Sequence, residues 1–141
     1  MEFGGEAGGE LVSTWMPLIL QAAGDFGNQD ICQTAVYGIG LCAEFAPKLF
    51  LPFANQSLSG LSHIIKATNK KKKKQAQIME NAISSLGRII LANAASLDVP
   101  SLLCLWLSGL PVSKDEKECT VIHSQLCQFL ILFVTLHTLF I

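Results

Sequence analysis

Asn81-Ala82-Ile83-Ser84-Ser85-Leu86-Gly87-Arg88-Ile89-Ile90 is the stretch on which the fold turns, and Thr34-Ala35-Val36-Tyr37-Gly38-Ile39-Gly40 is its fainter echo. In both, small and aliphatic residues recur at helical spacing, with glycine placed where a neighbouring helix could press close to the backbone. Ala35 and Gly40 return 47 positions later as Ala82 and Gly87. Ala23, after an aliphatic run, returns 44 positions later as Ala67, and residues 107–110 fit a shift of 43 from residues 64–67. Periods of this size belong to stacked helical repeats, whose units cannot bury their apolar faces alone.

Working outward, 141 residues suit one compact domain or a few solenoid repeats. Half of the residues are hydrophobic and 15% are charged, which excludes intrinsic disorder and leaves material for helices that each bury a face. The net charge of −1 conceals an uneven spread. Residues 1–47 hold six acids and no lysine or arginine, whereas residues 48–97 hold eight basic residues and one acid, so electrostatic partners would act locally. Five cysteines, Cys32, Cys42, Cys104, Cys119 and Cys127, form an odd set without a C-x-x-C pair or zinc spacing. The first ten residues carry three glutamates and no basic residue, unlike a signal peptide. Both features favour a reducing cytosolic or nuclear compartment, with the thiols acting as small hydrophobes on buried helix faces.

Residues 1–10, with four glycines, read as a flexible lead-in. Three antiparallel helix pairs follow, over about 11–45, 50–94 and 99–128, giving an all-α reading without strands. The first helix carries the stripe Leu11, Trp15, Leu18, Ile19 and Ala22. After Asp25-Phe26-Gly27-Asn28, with Gly27 suited to positive φ and Asn28 to capping, the second buries Ile31, Ala35, Ile39, Cys42 and Phe45 and ends at Pro47. The third runs from about Phe50 to Ala67; the fourth, from about Ala76 to Ala94, carries Ile78, Met79, Ala82, Ile83, Leu86, Ile89 and Ile90. Asp98 can cap the fifth, whose early Pro100 is tolerated, and Trp15 and Trp106 are expected to fill the core. Ser113-Lys114-Asp115-Glu116 reads as a capping box opening the sixth, which carries Val121, Ile122, Gln125 and Leu126.

The blocks at 33–44 (QTAVYGIGLCAE), 80–89 (ENAISSLGRI) and 106–111 (WLSGLP) resemble, in order and spacing, consecutive HEAT repeats in the C-terminal half of importin-β superfamily (karyopherin-β) nuclear transport receptors, nearest to the importin-β3 type. The resemblance covers about Leu11 to Gln128. Such a receptor is a superhelix of about twenty repeats, so the chain resembles a piece of one. The resemblance implies binding of protein cargo on a concave helical face, Ran-GTP-dependent release, contact with phenylalanine-glycine (FG) nucleoporins between outer helices, and residence in cytoplasm and nucleus. It implies no cofactor and no catalysis. The second helix of each pair would present Gln33, Tyr37 and Glu44, then Gln77, Glu80, Asn81, Ser84 and Arg88; as plain helix positions, these could equally be solvated or make inter-repeat hydrogen bonds. Two rivals are a generic HEAT scaffold outside transport and a truncated product without transport activity.

Three departures from the family pattern stand out. Cys32 replaces a customary arginine, which leaves Asp30 without that partner. Lys70, Lys71, Lys72, Lys73 and Lys74 occupy a loop that is usually mixed or acidic. The run is read first as a solvated loop and second as a localisation signal or a site for acidic cargo; nucleic acid is disfavoured because no aromatics alternate with it. Residues 129–141 form an apolar tail, read as a helix extension or alternative terminus. Even from Leu126 it offers 16 residues against the roughly 20 of a bilayer span, so a membrane role is disfavoured. His63, His123 and His137 stand singly, with no catalytic motif around them.

Overall fold

The computed structural model describes residues 5–139. Its helices are α1 (Gly5–Ala23), α2 (Gln29–Phe45), the single turn α3 (Pro47–Phe50), α4 (Ala54–Ala67), α5 (Lys73–Asn93), α6 (Val99–Ser108) and α7 (Glu116–Leu139). The described residues contain no strand. Helices α1 with α2, α4 with α5, and α6 with α7 make three pairs of an all-α HEAT-repeat stack. Helices α2, α5 and α7 pack side by side as one layer, with α1, α4 and α6 behind them.

The stack is built around α5, which touches α2, α4, α6 and α7. Ile78 through Gly87 are all buried, so this helix is enclosed on every side rather than along one stripe. Small residues allow that enclosure. A Cβ on Gly40 would lie 2.9 Å from the Ser85 Cα, and one on Gly109 would lie 2.1 Å from the Ile83 Cδ1. A Cβ on Gly87 would overlap Gln125, 2.0 Å from Oε1. At Gly40 the obstacle is backbone, so close helix approach requires glycine there, whereas at 87 and 109 an added methyl would displace the Gln125 and Ile83 side chains. Gly38 is different, with only an ordinary contact to Ile19 at 3.9 Å.

Several sequence expectations need correction. Helix α1 starts at Gly5, so residues 5–10 are helical rather than a flexible lead-in; residues 1–4 lie outside the described residues. The helix also turns its anticipated stripe outward. Leu11, Trp15 and Leu18 are more than half exposed, while Val12, Met16 and Ala23 are buried. Helix α2 buries Ala35 and Ile39 as expected, but buries Cys32 and Val36 beside them and exposes Ile31 and Phe45. Among the described residues the first pair packs chiefly against the second pair, and close contact with α5 selects the small-residue face of α2. Trp106, in contrast, is fully buried as expected.

The caps differ as well. Asn28 does cap α2, accepting from the Ile31 amide at 3.2 Å. Gly27 has no positive φ, and its amide instead donates to the Asp25 side chain at 3.0 Å. Asp98 stands at the N-cap of α6 without a side-chain cap bond, and Pro100 lies in the first turn. Cys104 and Cys127 are exposed, so only Cys32 behaves as a fully buried thiol, donating to the Ala23 carbonyl at 3.2 Å. Lys73 and Lys74 belong to the first turn of α5 rather than to the loop.

Helix α7 runs without a break into the apolar tail. Phe129 meets Trp106 edge-on at 5.1 Å, and beyond it Leu130, Ile131, Phe133, Val134 and Leu136 are exposed. By length and composition alone α7 could cross a bilayer. Glu118, Ile122 and Gln125 are the residues of its first half that are buried against the stack.

Candidate protein-binding face

Several of the polar positions singled out on α2 and α5 meet the turn before α7 and the start of α7 in one ladder. At its upper end Lys74 pairs with Asp30 at 2.5 Å and donates to the Gln33 Oε1 at 2.6 Å. Asp30 thus has a basic partner despite Cys32, supplied by the lysine run. Gln33 donates in turn to Asp115 at 3.2 Å, and Asn81 donates to the same Asp115 oxygen at 3.0 Å. Gln77 donates to the Lys114 carbonyl at 3.1 Å.

Glu80 does not face solvent. It is 2% exposed, and its two oxygens accept the backbone amides of Ser113, Lys114 and Asp115 at 2.6–2.9 Å. Charge-assisted bonds of this kind hold the α6–α7 turn onto α5. The expected capping box is therefore replaced. Ser113 gives its amide to Glu80, and Asp115 caps α7 by accepting the Glu118 amide at 3.2 Å.

One turn farther along, Ser84 donates to Glu118. Burial pushes the Glu118 carboxyl above its ordinary range, opposed by the Ser84 hydrogen bond and the Arg88 charge, with Asp115 adding a smaller upward push. Gln125 donates to the Ser84 carbonyl at 2.8 Å and accepts the Trp106 indole N–H at 3.1 Å. Ser85 donates to the Val36 carbonyl at 2.7 Å, tying α5 back to α2.

The sequence reading placed eight residues on one binding face, and the fold divides them. Glu80, Asn81 and Ser84 are buried between neighbouring repeats and hold them together. Gln33 and Gln77 are half-buried within the ladder, whereas Tyr37 and Glu44 are exposed. Arg88 pairs with Glu44, and its guanidinium lies 5.8 Å from the centre of the Tyr37 ring. Glu44 and Arg88 border a groove of about 470 Å³ that continues along Leu91, Thr120, Ser124 and Gln128. Thr120, Ser124 and Gln128 were missed because nothing in the α7 sequence separates groove-lining polar residues from solvated ones.

The opposite layer carries a second feature. Phe26 of the α1–α2 turn and His63 of α4 stand with ring centroids 6.0 Å apart, flanked by clefts of about 240 and 260 Å³, the smaller of them lined also by Gln29, Gln75 and Ile78. Leu20, Gly60 and Ile64 line the larger cleft.

Comparison with known proteins places this arrangement. A stretch of 102 residues, 69% of the chain, is 34% identical to a probable importin-5 homolog of Dictyostelium discoideum. This chain is a relative of the importin-β superfamily. Over 131 residues, 92% of the chain, this importin-β relative is also 23% identical to importin subunit beta-3 of Saccharomyces cerevisiae. It spans about a tenth of the length of these curated relatives, 10% of one and 12% of the other. No family model matches it. The inter-repeat ladder and the glycine contacts of the importin-β relative are what a stack of such repeats needs in order to hold its units in register.

Proposed function

We propose that the chain is a protein-binding HEAT segment of a nuclear transport receptor, taking protein cargo on the face of α2, α5 and α7. The observation that carries this reading is the groove bordered by Glu44 and Arg88, with Tyr37 beside it, on a chain related to importins. An aromatic ring, a paired arginine and a row of hydroxyl and amide side chains suit an extended polypeptide, which offers both side chains and peptide groups. The cleft lined by Leu20, Gly60 and Ile64 lies between the outer helices α1 and α4, where the resemblance implies contact with FG nucleoporins. Ran-GTP-dependent release and movement between cytoplasm and nucleus follow from the same resemblance. The proposed role is binding rather than catalysis.

The test is capture of nuclear proteins from a cytosolic extract by the whole chain, with and without Ran loaded with GTP, beside a Tyr37→Ala/Arg88→Ala variant of matched helicity. Capture that GTP-loaded Ran reduces and the variant loses supports the receptor reading. Capture insensitive to Ran but lost in the variant points to a HEAT scaffold outside transport. Capture equal in the variant rejects this face.

A further inference from the structure

The lysine run and the next repeat's turn build one basic edge. Lys70, Lys71, Lys72 and Lys73 are exposed, and among the described residues none of them has an ion-pair partner. Lys70 reaches the Ser108 carbonyl at 3.5 Å, so the run lies against the end of α6. Lys114 is exposed, and its carbonyl accepts from Gln77, one helical turn beyond Lys73, at 3.1 Å. Two segments some 40 positions apart thereby share one edge. Lys117, also exposed, follows in the first turn of α7, with Glu116 beside it as the one exposed acid there.

The other nearby acids are engaged. Asp30 holds Lys74, Glu80 is occupied by three backbone amides, and Asp115 accepts from Gln33 and Asn81. The first turn of α5 contains no acid, and Lys72 at its N-cap makes no side-chain cap bond. Clustered lysines at the positive end of a helix repel both one another and that end, which disfavours the folded state. An anionic ligand would reverse this local conflict.

From this arrangement we infer that the edge formed by Lys70, Lys71, Lys72, Lys73 and Lys114 binds an acidic polypeptide segment, independently of the groove at Arg88. Polypeptide is favoured over nucleic acid because no aromatic residue interrupts the run to stack on bases. Lysine also suits a flexible acidic chain, to which it acts as a mobile point charge without a fixed bidentate geometry.

The test is fluorescence anisotropy of a labelled deca-glutamate peptide titrated with the full chain at low and physiological salt. Saturable binding is expected, weakened about tenfold or more by the added salt and by the K70E/K71E/K72E/K73E variant. Lys114→Glu should weaken it by about threefold. If the quadruple variant loses helicity, K70E/K71E keeps the test in force, since both positions precede α5, and the same direction of effect is expected. Absence of saturable binding, or unchanged affinity in the charge-reversed variants, overturns the proposal. An unaffected Lys114→Glu overturns the two-segment edge, and tighter binding of deca-thymidine than of the peptide at equal salt overturns the choice of polypeptide.

Discussion

The Glu80 carboxylate accepts the Asp115 backbone amide at 2.6 Å, so a glutamate in the body of α5 anchors the residue that caps α7. Asp115 in turn accepts from Gln33 of α2 and Asn81 of α5. Registry between the second helices is thus set largely through polar groups, whose directional bonds allow fewer alternative alignments than apolar packing does.

Replacing Glu80 by Ala leaves three amides of a partly buried turn without their acceptor. The expected loss is about 3 kcal/mol, from the usual cost of unsatisfied buried donors with partial relaxation of the turn. Glu80→Gln should lose less, because the amide oxygen still accepts. Urea unfolding followed by circular dichroism measures both; equal stability of Glu80→Ala and wild type would show that the turn is held by other contacts.

Gly40 and Gly60 make a matched pair of opposite sign. Gly40→Ala places a methyl group 2.9 Å from the Ser85 Cα and 2.6 Å from its Oγ, so α2 and α5 must separate. A loss of about 1–3 kcal/mol is expected. Gly60 lies within α4 with nothing inside 4 Å of the added methyl. Gly60→Ala should therefore raise stability by roughly 0.5–1 kcal/mol through helix propensity. Thermal midpoints moving in the same direction for both would contradict the packing.

Glu118 gives the chain a pH dependence of predictable sign. Because burial raises its native pKa above the ordinary value of 4.5, the native state binds more protons than the unfolded state between the two values. Its contribution to stability is complete below 4.5 and declines as pH rises through the native pKa. Glu118→Gln removes this titration while leaving an oxygen for Ser84. Urea midpoints measured from pH 4 to 8 should show wild type losing ground to Glu118→Gln as pH rises; a gap moving the other way would contradict the buried, raised carboxyl.

The two tryptophans report opposite environments. Trp106 is fully buried and bonded to Gln125, while Trp15 is 53% exposed. Iodide should quench the emission of a Trp106→Phe variant readily and that of a Trp15→Phe variant weakly. Gln125→Ala leaves the indole N–H unpaired and opens space over Gly87, and should cost about 2 kcal/mol. Two equally quenched single-tryptophan variants would overturn the packing of α1 described above.

The exposed end of α7 is mostly apolar, with Thr135, His137 and Thr138 as its polar residues. Ile131→Lys combined with Phe133→Lys alters side chains that are 64% and 70% exposed. Stability should stay within about 0.5 kcal/mol, as for exposed positions elsewhere. Binding of a hydrophobic dye and self-association by sedimentation should both fall. A large loss of stability would mean that these residues are packed.

By itself the sequence determined the all-α helical repeats and the relationship to importins. Apolar spacing, Pro47 after α2 and the recurring Ala and Gly positions are local or periodic signals, legible without coordinates. Tertiary structure alone decided which residues of each face are free. Glu80, Asn81 and Ser84 have the look of a solvated helix face, but α5 is enclosed by four other helices, and a one-dimensional pattern does not reveal how many neighbours a helix has. The same reason governs Trp15, since an apolar stripe shows where burial is favourable but not whether a partner covers it. The turn at residues 113–115 likewise read as a local capping box, yet its amides chose an acceptor more than 30 residues away that burial had already stripped of water.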